Sequence, residues 1–272
     1  MFKKISVSLL LASSLISSAV LAEPFEKMYN IIYSAGYGLY RQNLDTSSPQ
    51  FINNALTAAI DYKNNKIYYG LQSDAVIYKS NLDGSNVETV VDLDSYSVTS
   101  SVSSSSLTFT VGHIAIDSKN NKIYITDYID GNIFRCNLDG SNLEFLFGPN
   151  PYYPTGIYVD TVNDKIYEYG QVGLVKRNLD GTNPMSMFTR TSNTFVFDVE
   201  IDHENGKIYW SDFNPARIDR ANLDGSDLET VYLAPTHISG EQIQSIELNP
   251  KDRNFYISLF RHNEIRSVSL SD

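Results

Sequence analysis

Four side chains could perform acid–base or metal chemistry from one place: Asp198, Glu200, Glu247 and His113. Asp198 and Glu200 stand two apart in Phe197-Asp-Val-Glu-Ile-Asp202, and on an extended strand that spacing puts both on one face. Glu247 and His113 occupy matching places in Ser245-Ile-Glu-Leu-Asn249 and His113-Ile-Ala-Ile-Asp117, two and four residues before a closing Asn or Asp. Carboxylates brought together from neighbouring strands could form part of a Ca²⁺ site, which takes six to eight oxygens, with water completing the shell. His113 would serve there as an acid or base. For want of a full ligand set, the same four residues read more simply as the polar lining of a wet channel.

Other polar positions point to structure rather than reaction. Asp61, Asp117, Asp160 and Asp202 recur at one position, each ahead of a polar turn, where a carboxylate caps nearby backbone N–H groups. Arg41, Lys79, Arg135, Lys176 and Arg220 also share one position, expected to form a ring of ion pairs or hydrogen bonds between repeats. The chain contains no Gly-rich phosphate loop, no clustered His/Cys zinc spacing and no Gly-x-Ser-x-Gly elbow.

What must position these residues is a repeat. An apolar strand ending in Asp is followed by a polar turn, then Lys-Ile-Tyr, then Ile-x-Arg/Lys-x-Asn-Leu-Asp-Gly-Ser. The clearest copy runs from Ile114-Ala-Ile-Asp117 through Asn121-Lys-Ile-Tyr-Ile-Thr-Asp127 to Ile133-Phe-Arg-Cys-Asn-Leu-Asp-Gly-Ser141. The leucine of Asn-Leu-Asp falls at Leu44, Leu82, Leu138, Leu179, Leu223 and Leu270, with spacings of 38, 56, 41, 44 and 47. One insertion aside, this is the period of a four-stranded propeller blade, roughly 40–45 residues. In the clearest copy the β-branched and aromatic runs predict strands over 114–116, 122–126, 132–137 and 143–147. Asp-Gly between strands three and four, at 83–84, 139–140, 180–181 and 224–225, predicts a tight hairpin with the glycine at positive φ.

These phrases resemble the YWTD repeats of lipoprotein-receptor propellers (low-density lipoprotein receptor class B repeats). Tyr209-Trp-Ser-Asp212 and Tyr124-Ile-Thr-Asp127 are nearest to the name-giving tetrapeptide. The resemblance covers residues 23–272 and implies an all-β chain, a six-bladed β-propeller of four-stranded antiparallel blades. The family's Asp is missing at Tyr68-Tyr-Gly-Leu71, Tyr167-Glu-Tyr-Gly170 and Tyr256-Ile-Ser-Leu259, so a blade-linking ladder built on it would be incomplete. The first copy lacks strand one and the last ends at strand three. Either residues 23–30 supply the last blade's outer strand and seal the ring, or both terminal blades stay incomplete.

Strand order assigns the connections to two faces. The one-to-two and three-to-four turns are nearly uniform; the two-to-three and four-to-one connections differ in every repeat. Divergent loops on a shared scaffold are where binding resides, so the ligand face is expected on the second side. Its aromatic and basic residues are Tyr128, Tyr152, Tyr153, Phe213, Arg217, His237, Phe260, Arg261 and His262. Some of these could instead pack between blades; for Tyr152-Tyr153, between Pro151 and Pro154, partner contact and packing stay open. The serine-rich insertion from Asp94 to Thr110 would be a lid or a mobile loop.

Residues 1–22 read as a secretory signal: Lys3 and Lys4, an apolar run from Ile5 to Val20, and cleavage after Ala22. Removing it leaves 19 basic against 32 acidic residues, near −13, which argues against nucleic acid and anionic lipid and leaves cationic or neutral ligands open. With Cys136 the only cysteine and no glycosylation sequon, a bacterial periplasmic or secreted protein is expected, monomeric and not inserted in the membrane once cleaved. Two functions follow: a non-enzymatic module for protein, peptide or cell-envelope ligands, needing no cofactor, or a lactonase-like hydrolase or lyase with Ca²⁺ in the channel.

Overall fold

The structure, a computed structural model, describes residues 30–35, 38–43, 50–71, 75–95, 109–127, 129–149, 154–171, 173–188, 195–212, 215–234, 242–248, 254–259 and 264–269. Most of it is strand, because each repeat supplies short β-branched and aromatic runs broken by Asn, Asp and Gly. The first sheet has three strands, β1 (Asn30–Ala35), β2 (Gly38–Asn43) and β3 (Gln50–Asn53). The second comprises β4 (Ala55–Asp61), β5 (Lys66–Leu71), β6 (Val76–Asn81) and β7 (Glu88–Asp92). The third holds β8 (Val111–Asp117), β9 (Lys122–Asp127), β10 (Ile133–Asn137) and β11 (Glu144–Phe147). The fourth follows with β12 (Pro154–Asp160), β13 (Lys165–Gly170), β14 (Gly173–Asn178) and β15 (Met185–Ser186). The fifth is β16 (Val196–Asp202), β17 (Lys207–Asp212), β18 (Arg217–Asn222) and β19 (Glu229–Leu233). The sixth is three-stranded, with β20 (Ile243–Leu248), β21 (Asn254–Leu259) and β22 (Glu264–Ser269).

Every sheet is an antiparallel meander in chain order, as the repeat predicts. The third sheet matches its predicted strands to within a few residues, the largest difference being three residues gained at the start of β8. The first and last sheets are three-stranded rather than four-stranded: β1 corresponds to strand two of a repeat, and β22 to strand three. Residues 23–29, which would complete the sixth sheet, lie outside the described residues.

First strands lie beside first strands, β4 by β8, β8 by β12 and β16 by β20, so the sheets are arrayed about their innermost strands like propeller blades. Strand two of the repeats in the second to sixth sheets is largely covered by protein on both sides; β9 and β17 are buried along five of their six residues. Strand four is the outer edge and stays half wet: Glu88, Thr89 and Asp92 of β7 are exposed. The apolar side chains therefore gather in the seams between sheets. One seam joins Ile77 and Val91 of the second sheet to Ile114, Ile123 and Phe134 of the third; another joins Tyr209 and Ile218 to Ile246 and Phe255. Each large apolar side chain buried there stabilises by about 1.5–3 kcal/mol.

Hydrogen bonds cross the same seams. The Tyr68 hydroxyl donates to the Leu138 carbonyl and the Tyr124 hydroxyl to that of Leu179. Arg135 Nη1 and Lys176 Nζ donate to the carbonyls of Leu179 and Leu223, each at 2.6 Å. The strand-three cations also form the expected ion pairs, Lys79–Glu88, Arg135–Glu144 and Arg220–Glu229. At three successive seams, then, a tyrosine, a cation or both reach from one repeat to the Asn-Leu-Asp leucine of the next. The YWTD-type Asp does something else. Asp127 Oδ1 accepts from Thr110 N and Ile129 N, and Asp212 Oδ1 from Phe195 N, all within one sheet. Those aspartates hold the chain as it approaches strand one, so the expectation of a blade-linking role is corrected.

Candidate functional site

The turns of one face close upon themselves. After Asp61, Asp117, Asp160 and Asp202 come four residues before the next strand, every time. In each, the Asp accepts from both the backbone and the side chain of the Asn three residues on, as at Asn120 N (2.9 Å) and Nδ2 (2.7 Å) to Asp117. The fourth turn residue takes positive φ at Asn65, Asn121, Asp164 and Gly206. These acids are turn caps, as the sequence indicates. The Asp-Gly segments depart from the expectation of a tight hairpin: six residues separate the strands at 82–87, 138–143, 179–184 and 223–228. The aspartate is used locally, with Ser141 N and Oγ donating to Asp139 Oδ1 at 3.0 and 2.6 Å, while Gly140 takes φ +83.

On the other face no length repeats consistently. Two-to-three connections have two, four, five, two, four and four residues, and four-to-one connections have one, 18, six, nine and nine. Of the nine aromatic and basic residues expected there, Tyr128, Tyr152, Tyr153, Phe213, His237, Phe260, Arg261 and His262 lie outside the described residues, as do residues 96–108 of the serine-rich insertion. Arg217 is described. It opens β18 with its guanidinium clamped between Asp212 Oδ2 at 2.9 Å and Asp219 Oδ2 at 2.7 Å. It is thereby an anchor for the 213–216 connection.

The channel residues converge. Every described first strand carries a bulge one residue before the position four ahead of its closing Asp or Asn, with register shifts at Ala55/Thr57, Val111/His113, Pro154/Gly156, Val196/Asp198 and Ile243/Ser245. A bulge re-aims the side chain that follows it. A strand-two hydroxyl stabilises the kink in two of the sheets: His113 N donates to Thr126 Oγ1 at 2.8 Å, and Ser245 N to Ser258 Oγ at 3.0 Å.

Asp198 and Glu200 reach from β16 toward β20. Asp198 Oδ1 accepts from Val199 N at 2.9 Å and Oδ2 from Ile246 N at 3.0 Å. Glu200 and Glu247 meet carboxyl to carboxyl in a hydrogen bond. All three are enclosed by protein while keeping an edge on the channel. Burial pushes the Asp198 carboxyl up to about 7, the two backbone N–H bonds opposing. Burial first, then the negative Asp198, raises Glu200; burial and Glu200 raise Glu247 well above the carboxylate range. The Tyr158 and Tyr169 phenols are also raised, by burial and then by these carboxyls, Glu200 first for Tyr158 and Asp198 first for Tyr169. Tyr62 stands at the mouth on the uniform face, 46% exposed, its phenol raised by burial and then by Glu247 and Glu200.

His113 lies on the far side of Tyr169, ring centroids 6.0 Å apart. Burial lowers it to about 4, against a hydrogen bond to the Ile157 carbonyl, so the imidazole is neutral; its Nδ1 is buried without a hydrogen-bond partner.

The three carboxyls expected to hold calcium therefore share one site, in which Glu200 and Glu247 face each other and both Asp198 oxygens accept from backbone N–H groups. Among the described residues no group of three or more His, Cys, Asp or Glu is arranged for a metal ion. Three tyrosines join the site that the reading of acids and histidines alone passed over. The signal for two of them was present. Tyr158 occupies the same repeat position as Glu200 and Glu247, and Tyr169 is the one bulky residue where other repeats have Gly70, Thr126, Ser211 and Ser258.

No family model matches the chain. Solved structures do. The chain is similar to a structure described as the nidogen/laminin complex, at TM-score 0.63 and 15% identity over 86% of this chain and 90% of that one. It is similar to streptogramin B lyase at TM-score 0.65 and 14% identity, over 89% and 76%. A protein from Bacteroides thetaiotaomicron gives TM-score 0.63 and 14% identity, over 89% and 67%. Identities this low carry the fold alone, and that fold is a β-propeller. No helix among the described residues is long and apolar enough to cross a membrane.

Proposed function

We propose that the chain is an exported, six-bladed, YWTD-like β-propeller that binds a protein, peptide or cell-envelope ligand through its variable face, without catalysing a reaction. The observation that carries this reading is the contrast between the faces. One side repeats the same four-residue and six-residue connections with their polar groups closed internally; the other has connections that range from one to 18 residues. Selection for strand closure alone does not diversify one side of a scaffold, whereas recognition does. The six sheets would close as a ring whose first and last blades meet, and the protein would act as a monomer in the periplasm or outside the cell, consistent with residues 1–22 as a cleaved signal.

The test is affinity capture from an envelope extract with the mature protein as bait. A partner retained by Lys119→Ala on the uniform face, and lost by the double variant Tyr152→Ala, Tyr153→Ala, supports the reading. A partner lost by Lys119→Ala and kept by the tyrosine variant overturns the choice of face.

A further inference from the structure

Glycine recurs at left-handed turn positions of the uniform face, and in the Asp-Gly segments the fold demands it. Those glycines dock against the outer edge of the preceding sheet. A Cβ on Gly84 would stand 2.9 Å from Ile52, on Gly181 2.6 Å from Phe147 and on Gly225 3.0 Å from Met187, and Gly140 faces the Val90 backbone still more closely. Gly206 is different. A Cβ there would meet nothing within 4 Å, and its left-handed conformation, φ +64, is taken at the same turn position by Asn65, Asn121 and Asp164. Asparagine and aspartate visit that conformation routinely as single residues. Neither space nor backbone shape therefore requires glycine at 206.

What glycine changes there is chemistry. The residue before it is the exposed Asn205, and the two form the one Asn-Gly pair in the sequence. Gly206 has no side chain to crowd its backbone nitrogen as that atom closes on the Asn205 carboxamide. The Gly206 nitrogen bonds to Cγ of Asn205, the Cγ–Nδ2 bond breaks, and ammonia leaves with the Gly206 proton. Water then opens the resulting succinimide at either carbonyl, giving aspartate or isoaspartate. The net exchange is amide and water for carboxylate and ammonium, with nothing oxidised or reduced. In the sibling turns the same asparagine, Asn64, Asn120 or Asn163, is followed by a residue that carries a side chain.

We infer that Asn205 is a site of spontaneous deamidation, a one-way change that loosens the turn between β16 and β17. Asn205 Nδ2 donates to Asp202 Oδ2 at 2.9 Å, and Asp202 is buried. The product carboxylate replaces that donor by an acceptor of like charge, so the clasp becomes a repulsion. Isoaspartate also adds a carbon to the main chain and carries the Gly206 carbonyl away from Leu223 N, which donates to it at 3.2 Å. The same turn holds His203, whose Nε2 stands 3.5 Å from Asp160 Oδ1 of the fourth sheet, so the change reaches a seam. The site lies on the uniform face and stands or falls independently of the proposed partner binding.

Peptide mapping by mass spectrometry tests it on the folded mature protein, incubated in mildly alkaline buffer and compared with a digest made before incubation. Asn205 is expected to convert at least tenfold faster than Asn64, Asn120 or Asn163, with isoaspartate among the products. Gly206→Asn, which copies the Asn-Asn turns of the second and third sheets, should slow that conversion at least tenfold and leave the urea midpoint nearly unchanged. Asn205→Asp, which installs the carboxylate at once, should lower the midpoint. Conversion of Asn205 in urea-unfolded protein alone overturns the inference, since Asp202 would then be holding the amide out of reach. So does equally fast conversion in Gly206→Asn. An unchanged midpoint for Asn205→Asp overturns the loosening of the turn.

Discussion

Gly156 lies directly under the ring of Tyr169: a Cβ on Gly156 would stand 2.0 Å from Cε2 of that ring. The two are also cross-strand partners between β12 and β13. Where other repeats pair a side chain with a small residue, as at Asp198–Ser211 or His113–Thr126, this one inverts the sizes and lays a phenol across the channel. Gly156→Ala is therefore expected to destabilise by about 1–3 kcal/mol through overpacking. Adding Tyr169→Ser should recover part of that loss, seen as coupling between the two changes in urea midpoints. Strictly additive losses would show that the ring has another place to go.

Stability should fall as pH rises above 6.5. The folded state holds Asp198 up near 7 and the Glu200–Glu247 pair above its ordinary range. A raised carboxyl contributes fully below the unfolded range near 4 and loses that contribution as pH climbs through the folded value. His113, lowered to about 4, acts in the opposite sense: its contribution is lost as pH falls below about 6.5, so it is silent on the alkaline side. Thermal melts from pH 6.5 to 8.5 should decline for the wild type and flatten for the variant carrying Asp198→Asn, Glu200→Gln and Glu247→Gln. An unchanged slope would place the titration elsewhere.

Glu168 and Arg177 form an ion pair in the fourth sheet where the third has Ile125 and Cys136. Removing one partner leaves a charge with nothing opposite it. Glu168→Ala should cost about 3–5 kcal/mol. Replacing both, Glu168→Ile with Arg177→Cys, should be close to neutral, because it copies a seam the protein already packs. Denaturant titration distinguishes the two outcomes.

Restoring the YWTD-type aspartate should fail at Gly170. That residue takes φ +138, in a two-residue connection that pairs it with Gly173. A side chain there is strained whatever it could bond to, so Gly170→Asp should lower the urea midpoint. A gain in stability would mean the connection can rearrange to the longer form seen after Asp127.

Much of this fold was legible because the repeat encodes it twice, once in strand chemistry and once in punctuation. Lys-Ile-Tyr marks the buried second strand, and Asp followed three residues later by Asn marks its turn. The bulges were not legible: Gly112, Thr155, Phe197 and Gln244 share no residue type, since a bulge is defined by how two strands pair. For the site, Asp198, Glu200 and Glu247 could be found by lining up repeats, but the hydrogen bond between Glu200 and Glu247 could not, because it depends on how two strands of different sheets face each other. Tyr169 and Tyr62 were hidden for a simpler reason. Tyrosine is so frequent in this chain that its presence at one more position carries little information.

The clasps between sheets, from Tyr68 to Leu138, Tyr124 to Leu179 and Lys176 to Leu223, all point the same way along the chain. At these seams a repeat carries a hook for its successor and offers an eye to its predecessor. A duplicated gene segment of one period would arrive with both, ready to couple on either side. Such a protein can gain or lose a unit by recombination without inventing a new interface, and its present number of units is a state of its history as much as of its physics.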